Sequence, residues 1–252
     1  MARVAREKSS TGIYHVTLRG INRQIIFEDD EDYQKFLWTI TDTKGKSGYE
    51  IYAYCLMSNH IHLLLKETRE ELGIVFRRIG ASYVHWYNWK YKRRGHLFQA
   101  RYKSEVVETD SYFLTVLRYI HQNPYKADIV KNIADYPWSS YDEYIGVPRI
   151  CDVEFALNMF STDRVNALKR FRDFNLVDNQ DKCLDYDQDV RLNDTEAKNF
   201  IRSISGVQSP TEVALFEKGE RNEVIKKCKA KGLSIRQIER LTGVSFGVIR
   251  AI

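Results

Sequence analysis

Ser-Asn-His-Ile-His-Leu-Leu-Leu, at residues 58–65, is the stretch from which the predicted fold and the predicted site both follow. Side chains alternate between the two faces of a strand, so His60 and His62 share one face while apolar residues occupy the other. Two neutral imidazoles side by side suit a divalent cation. A histidine on a sheet is more often a hydrogen-bonded structural residue, so the pair alone leaves both interpretations open.

The surrounding sequence predicts six elements in the order β-α-β-β-α-β. They are strands at residues 12–19, 49–57, 60–66 and 104–108, and helices at about 30–43 and 70–92. The second and third strands are separated by only two residues, which favours an antiparallel hairpin.

The composition is that of an ordinary globular protein, with 43% hydrophobic and 29% charged residues in 252. The net charge of +5 indicates a mild preference for an anionic partner. The four cysteines form no Cys-x-x-Cys pair, which favours reduced thiols over a disulfide framework. There is no apolar signal core and no apolar run of the roughly 18 residues that span a bilayer. We therefore expect a soluble, cytoplasmic protein.

A further helix is predicted from Thr109 or Asp110, and its apolar stripe leaves Tyr119 on the helix flank. Asn123 follows one turn later on nearly the same flank. Because Pro124 comes next, Asn123 either ends this helix or caps another one. That capping role competes with any role as a ligand.

Three motifs together resemble a known family. They are Ser-Asn-His-Ile-His at 58–62, Arg-Tyr-Ile-His-Gln-Asn-Pro at 118–124 and Tyr-Pro-Trp-Ser-Ser-Tyr at 136–141. In this order and at these separations they are similar to the REP-associated tyrosine transposases, a branch of the HUH single-tyrosine transposase superfamily. The resemblance spans about residues 14–146. It implies an α+β, ferredoxin-like antiparallel sheet with packed helices, in which the Tyr119 hydroxyl lies near a metal held by the histidine pair.

The resemblance also implies an activity. Tyr119 would attack single-stranded hairpin DNA, giving a 5′-phosphotyrosine intermediate and a free 3′-hydroxyl that can rejoin strands, with His60 and His62 as the other catalytic residues. The expected cofactor is Mg²⁺ or Mn²⁺, with Asn123 as the third ligand and Gln122 as its alternative. A replication or conjugation initiator with the same chemistry, and a noncatalytic DNA-binding regulator, are the other interpretations.

Cationic and polar side chains near the ends of the predicted strands and helices are the candidate DNA contacts. A run of aromatic and basic residues at 86–95 combines phosphate attraction with flat surfaces for unpaired bases. The turn at 19–23 resembles the family's region for reading a short guide sequence, with an ordinary polar turn as the alternative. The expected DNA-binding residues are Arg19, Asn22, Arg23, Arg93, Arg94, Arg101, Lys103 and Arg250.

The chain is predicted to divide into a catalytic domain at residues 1–146, a helical connector with an acidic linker at 147–216 and a helix-turn-helix-like module at 217–252. The aspartate-rich stretch 177–192 is predicted to be an exposed linker rather than a site. Two short helices in the all-α C-terminal region, joined near Gly243, resemble a helix-turn-helix that binds duplex DNA, or else form a simple three-helix packing unit. A monomer is favoured over a dimer.

Overall fold

The computed structural model of the protein describes residues 6–185 and 192–252. Four antiparallel strands form one sheet in the order β2-β3-β1-β4. They are β1 (Ile13–Arg19), β2 (Glu50–Met57), β3 (His60–Lys66) and β4 (Lys103–Val106). With α1 and α2 in the two crossovers, this order is the predicted ferredoxin-like arrangement, which is confirmed.

Ten α-helices occur in the described part of the chain. They are α1 (Asp30–Ser47), α2 (Leu72–Lys90), α3 (Asp110–Lys126), α4 (Tyr141–Ile145), α5 (Val153–Asn158), α6 (Arg164–Leu176), α7 (Asp194–Ser205), α8 (Lys218–Ala230), α9 (Ile235–Thr242) and α10 (Phe246–Ala251). Thr109 caps α3 by accepting a hydrogen bond from the Tyr112 N–H. Pro124 lies in the last turn of α3 without ending it. Asn123 is therefore inside the helix and neither ends it nor caps a new one.

The strand register gives the sheet two different faces. Thr17 of β1 pairs with His62 of β3, and His15 pairs with Glu105 of β4, so these side chains share one polar face. Helix α3 packs against β2 and β3. Leu18, on the opposite face of β1, lines a cavity together with residues of α2. The polar face thus lies beneath the helix that carries the tyrosine.

The described residues form two compact units, one of residues 6–26 and 31–185 and the other of residues 27–30 and 192–252. The first unit continues past the boundary expected near residue 147, because aromatic stacking ties α5 and α6 to it. Tyr52 of β2 stacks on Phe155 with ring centroids 4.7 Å apart. Tyr144 stacks on Phe171 at 4.6 Å.

The second unit is helical and has its own apolar core, contributed by helices α7 to α10 and by the segments that precede and connect them. Ser234 caps α9, and Gly243 ends it in a left-handed conformation with φ of 75°. Helix α10 begins at Phe246, and three residues separate it from the end of α9. The two short helices lie where the sequence places them, while their function as a helix-turn-helix stays a prediction. No helix within residues 6–185 or 192–252 is long and apolar enough to cross a membrane.

One buried carboxylate fastens α4 and the loop after it to the sheet. Glu143 accepts a hydrogen bond from the Tyr54 hydroxyl at 3.0 Å, and its other oxygen accepts three backbone N–H groups of residues 149–151 at 2.8 to 3.0 Å. We expect Glu143→Leu to lower the free energy of unfolding by about 3 kcal/mol, because four donors, two of them buried and two partly buried, lose their acceptor. Denaturant titration checks this. The exposed Glu154→Leu is the matched control, and equal losses in both variants would contradict the assignment.

Candidate metal centre and nucleophile

His60 and His62 occupy the start of β3, immediately after the two-residue turn from β2. Alternation along the strand places both rings on the polar face, with centroids 5.0 Å apart. The side chain of His62 is fully buried, and His60 is 6% exposed. Burial lowers the pKa of His60 to about 3 and lowers that of His62 well below its ordinary value. Both imidazoles are therefore neutral, the form that binds a metal.

The neighbours of each ring determine which nitrogen is available. His60 Nδ1 lies 2.7 Å from the Asn59 side-chain oxygen, so Nδ1 carries the proton and Nε2 keeps its lone pair. His62 Nδ1 lies 3.1 Å from His15 Nε2. His62 Nε2 is buried and has no hydrogen-bond partner within the described residues. An unsatisfied buried acceptor of this kind fits a metal ligand.

Asp185 brings a carboxylate to the histidine pair. One potential ligand atom from each of His60, His62 and Asp185 lies within 4.8 Å of the others. The Asp185 Oδ1 atom is 3.7 Å from His62 Nε2, and the carboxylate side chain is 20% exposed. A carboxylate with two imidazoles is a donor set suited to a divalent ion.

The aspartate-rich stretch was expected to be an exposed linker, but only part of its described residues are exposed, and two of its aspartates are largely covered. Besides Asp185, Asp181 packs against α3, where its carboxylate accepts from Arg118 at 2.8 Å. The Asp181 side chain is 15% exposed. The ion pair explains why this segment lies along the helix, since it fixes the chain four residues before Asp185.

Tyr119 of α3 points its ring at the polar face of the sheet. The ring centroid is 5.7 Å from that of His62 and 6.0 Å from that of His15. Its hydroxyl donates a hydrogen bond to Asp185 Oδ2. Burial, followed by this carboxylate, raises the pKa of Tyr119 above its ordinary value. The phenol is therefore protonated at neutral pH, and Asp185 is placed to accept its proton.

Asn123 and Gln122, the two alternatives for the third ligand, lie in different surroundings. The Asn123 side chain lies beside the Tyr119 hydroxyl and favours its ionised form. Its Nδ2 is buried and lacks a hydrogen-bond partner of normal geometry in the described chain. Gln122 donates to the backbone oxygens of Asn175 and Val177 at 2.7 and 3.0 Å, at the end of α6. Asn123 therefore remains beside the site, whereas Gln122 is engaged elsewhere.

A cavity of about 580 Å³ opens beside Asp185. It is lined by Arg19, Asn22, Arg23, Gln99, Ala100, Arg101, Lys103 and Asp185. Five of the expected DNA-binding residues therefore line the same cavity, next to the candidate metal centre. The expected Arg93 and Arg94 do not line it, and Arg93 donates to the Gln24 side chain at 3.0 Å. Arg250 belongs to the second unit.

Sequence reasoning missed His15, Glu105 and Asp185. Alternation along β1 does place His15 on one face with Thr17 and Arg19, but only the register between β1 and β3 brings it to His62. Glu105 depends likewise on the register of β4. Asp185 is 66 residues from Tyr119 in the chain, and no spacing rule connects them.

Residues 8–123 match the model of a protein family described as IS200-like transposases. A REP-associated tyrosine transposase of Escherichia coli strain K12 is 24% identical over 136 residues, which are 53% of this chain and 78% of that relative. A Haemophilus influenzae relative, named as a candidate REP-associated tyrosine transposase, is 25% identical over 153 residues, covering 56% of this chain and 86% of its own.

The fold is similar to a solved structure of a REP-associated tyrosine transposase bound to a REP hairpin. The TM-score is 0.51 at 21% sequence identity, and the match covers 61% of this chain and 93% of the solved one. This likeness concerns the fold.

Proposed function

We propose that the protein cleaves and rejoins single-stranded DNA at hairpin-forming repeats, because residues 8–123 match the model of the IS200-like transposase family. The reaction proceeds through a 5′-phosphotyrosine intermediate on Tyr119. One observation carries the proposal: the tyrosine hydroxyl and the two neutral histidines meet at the same carboxylate, Asp185.

Cleavage begins when the phenol oxygen of Tyr119 attacks the phosphorus atom. An O–P bond forms as the bond from phosphorus to the 3′-oxygen breaks. The 3′-oxygen takes a proton from water and leaves as a hydroxyl, and the hydroxide left behind is neutralised by the proton that the phenol loses. The phenol proton passes to Asp185, which accepts its hydrogen bond. A 3′-hydroxyl later attacks the phosphotyrosine and regenerates Tyr119. No ATP is consumed, because the covalent intermediate retains the phosphodiester energy.

His60 and His62, with Asp185 or Asn123, are the residues that would hold Mg²⁺ or Mn²⁺. The free, buried Nε2 of His62 and the neutral state of both rings fit this role. A bound divalent ion would polarise a non-bridging phosphate oxygen and stabilise the charge of the transition state. Both histidines lie on β3, which is paired with β1 on one side and β2 on the other.

The cavity beside Asp185 supports a path for the DNA strand. Its lining includes the cations Arg19, Arg23, Arg101 and Lys103, which would neutralise phosphates on the way to Tyr119. The solved relative with this fold is bound to a REP hairpin, and we extend that substrate class to this chain. We further propose that the second unit binds duplex DNA through Arg250. We also propose that the protein is a monomer.

The proposal is tested with a single-stranded hairpin repeat labelled at either end and incubated with the full chain and Mn²⁺ or Mg²⁺. The 3′ label should migrate with the protein on a denaturing gel, while the 5′ label leaves on a shorter strand. Perfect duplex of the same sequence and samples with EDTA should give no adduct. Tight binding with no adduct under either metal would contradict the proposal and favour the noncatalytic regulator.

The cationic wall of the cavity gives a further prediction. We expect Arg101→Gln to weaken binding of single-stranded DNA about 3- to 10-fold at 0.1 M salt and to reduce the salt slope by about 1, because one phosphate contact is lost. Fluorescence anisotropy over a salt series measures both quantities. Arg172→Gln, an exposed change on α6 outside the cavity, is the matched control. Equal effects of the two variants would count against this DNA path.

A further inference from the structure

A fully buried histidine of β1 lies behind the candidate metal ligand His62. His15 Nε2 is 3.1 Å from His62 Nδ1, and on its other side His15 Nδ1 is 3.9 Å from the Glu105 carboxylate. We propose that His15 and Glu105 are positioning residues that hold His62 in its metal-binding tautomer. The inference rests on the proposed function.

Strand register produces this row of side chains. Glu105 of β4 pairs with His15 of β1, and His62 of β3 pairs with Thr17, two residues further along β1. The rings of His15 and His62 stack with centroids 5.3 Å apart and planes 28° from parallel. The two histidines are fully buried, so water does not exchange freely with their facing nitrogens.

The carboxylate determines where the protons lie. The negative charge of Glu105 favours a proton on His15 Nδ1, the ring nitrogen that faces it. A neutral His15 then offers the lone pair of Nε2, and His62 must donate from Nδ1 across the 3.1 Å contact. His62 Nε2 keeps its lone pair and is directed toward Asp185. The reverse arrangement would put a proton on His62 Nε2 and exclude a metal from it.

Glu105 also reaches the segment that carries Asp185. Its Oε2 accepts the backbone N–H of Leu184 at 3.0 Å and the Tyr112 hydroxyl at 2.6 Å. One carboxylate therefore lies 3.9 Å from the ring behind His62 and accepts a hydrogen bond from the residue before Asp185. These two contacts give Glu105 a role at its position in β4, on the polar face of the sheet.

Packing alone is the competing explanation, since the His15 ring also contacts Tyr119. Three variants distinguish packing from the positioning role. His15→Leu keeps apolar volume but removes the acceptor for His62. His15→Gln retains an oxygen that can accept from His62 and an amide that can donate toward Glu105. Glu105→Gln keeps the size of the side chain and removes its charge.

The measurement is the affinity of the full chain for Mn²⁺ without DNA, followed by the electron paramagnetic resonance signal of free Mn²⁺. We expect His15→Leu to weaken Mn²⁺ binding about 10- to 100-fold and Glu105→Gln about 10-fold. His15→Gln should return to within about 3-fold of the wild type, because the acceptor is restored. Circular dichroism establishes which variants are folded, and Glu105→Gln tests the inference if His15→Leu does not fold.

The outcomes distinguish this inference from the proposed function. If a folded His15→Leu or Glu105→Gln variant binds Mn²⁺ as tightly as the wild type, the positioning role is overturned. The proposed function still stands in that case, provided that the wild type forms the covalent adduct. A His15→Gln variant as weak as His15→Leu also overturns it. A wild type that neither binds Mn²⁺ nor forms an adduct overturns both.

Discussion

Tyr119→Phe should abolish the covalent protein–DNA adduct, lowering its rate of formation by about 10³-fold or more, because the variant lacks the oxygen that attacks phosphorus. The fold should survive, since the variant loses one hydroxyl and its hydrogen bond to Asp185, at a cost of about 1 kcal/mol. DNA binding should stay within about threefold of the wild type, as the phosphate contacts lie elsewhere. The assay is the 3′-labelled hairpin on a denaturing gel.

Tyr125→Phe is the matched control for that experiment. Tyr125 lies in the same helix but is 47% exposed. Its adduct yield should equal that of the wild type. Adduct formation by Tyr119→Phe, or its loss in Tyr125→Phe, would show that the nucleophile is misassigned.

His62→Ala should remove metal-dependent cleavage almost as completely, by about 10²- to 10³-fold, since an electrostatic stabiliser of the transition state is lost. The same variant should lose measurable Mn²⁺ binding, which separates a failure of the metal site from a failure to bind DNA. His85→Ala, an exposed histidine on α2, should match the wild type in both measurements. Unchanged Mn²⁺ affinity in His62→Ala would place the metal elsewhere.

The third ligand can be assigned with the same two readouts. If Asp185 is the ligand, Asp185→Asn should weaken Mn²⁺ binding at least about tenfold, while Asn123→Ala should leave it nearly unchanged. If Asn123 is the ligand, Asn123→Ala should weaken Mn²⁺ binding more than Asp185→Asn does. A carboxylate is the stronger ligand for a hard cation, and its position within 4.8 Å of both histidine ligand atoms favours Asp185.

The sequence was sufficient for the elements that depend on local pattern. Alternation in β3 predicted that His60 and His62 share a face, and the short turn before it predicted the β2–β3 hairpin, both of which the sheet confirms. The helical stripe of α3 predicted a tyrosine on its flank. The observed Tyr119 is 5% exposed, however, because the segment that carries Asp185 covers that flank.

Local sequence patterns could not predict the contacts between residues that are far apart in the chain. Sequence alternation fixes which residues of one strand share a face, but it does not fix the register between strands, and that register brings His15 and Glu105 behind His62. The boundary near residue 147 was drawn from a change in composition. The stacking of Phe155 and Phe171 on aromatics of the first unit depends instead on shape and buried area.

Peptide mapping of the covalent adduct tests the assignment of the nucleophile most directly. Trypsin cleaves after Arg118 and Lys126, so one peptide of residues 119–126 contains both Tyr119 and Tyr125. After nuclease digestion of the bound strand, tandem mass spectrometry locates the remaining 5′-linked nucleotide within this peptide. We predict fragment ions that place it on Tyr119. A nucleotide on Tyr125 or on any peptide outside residues 119–126 would contradict the proposed mechanism.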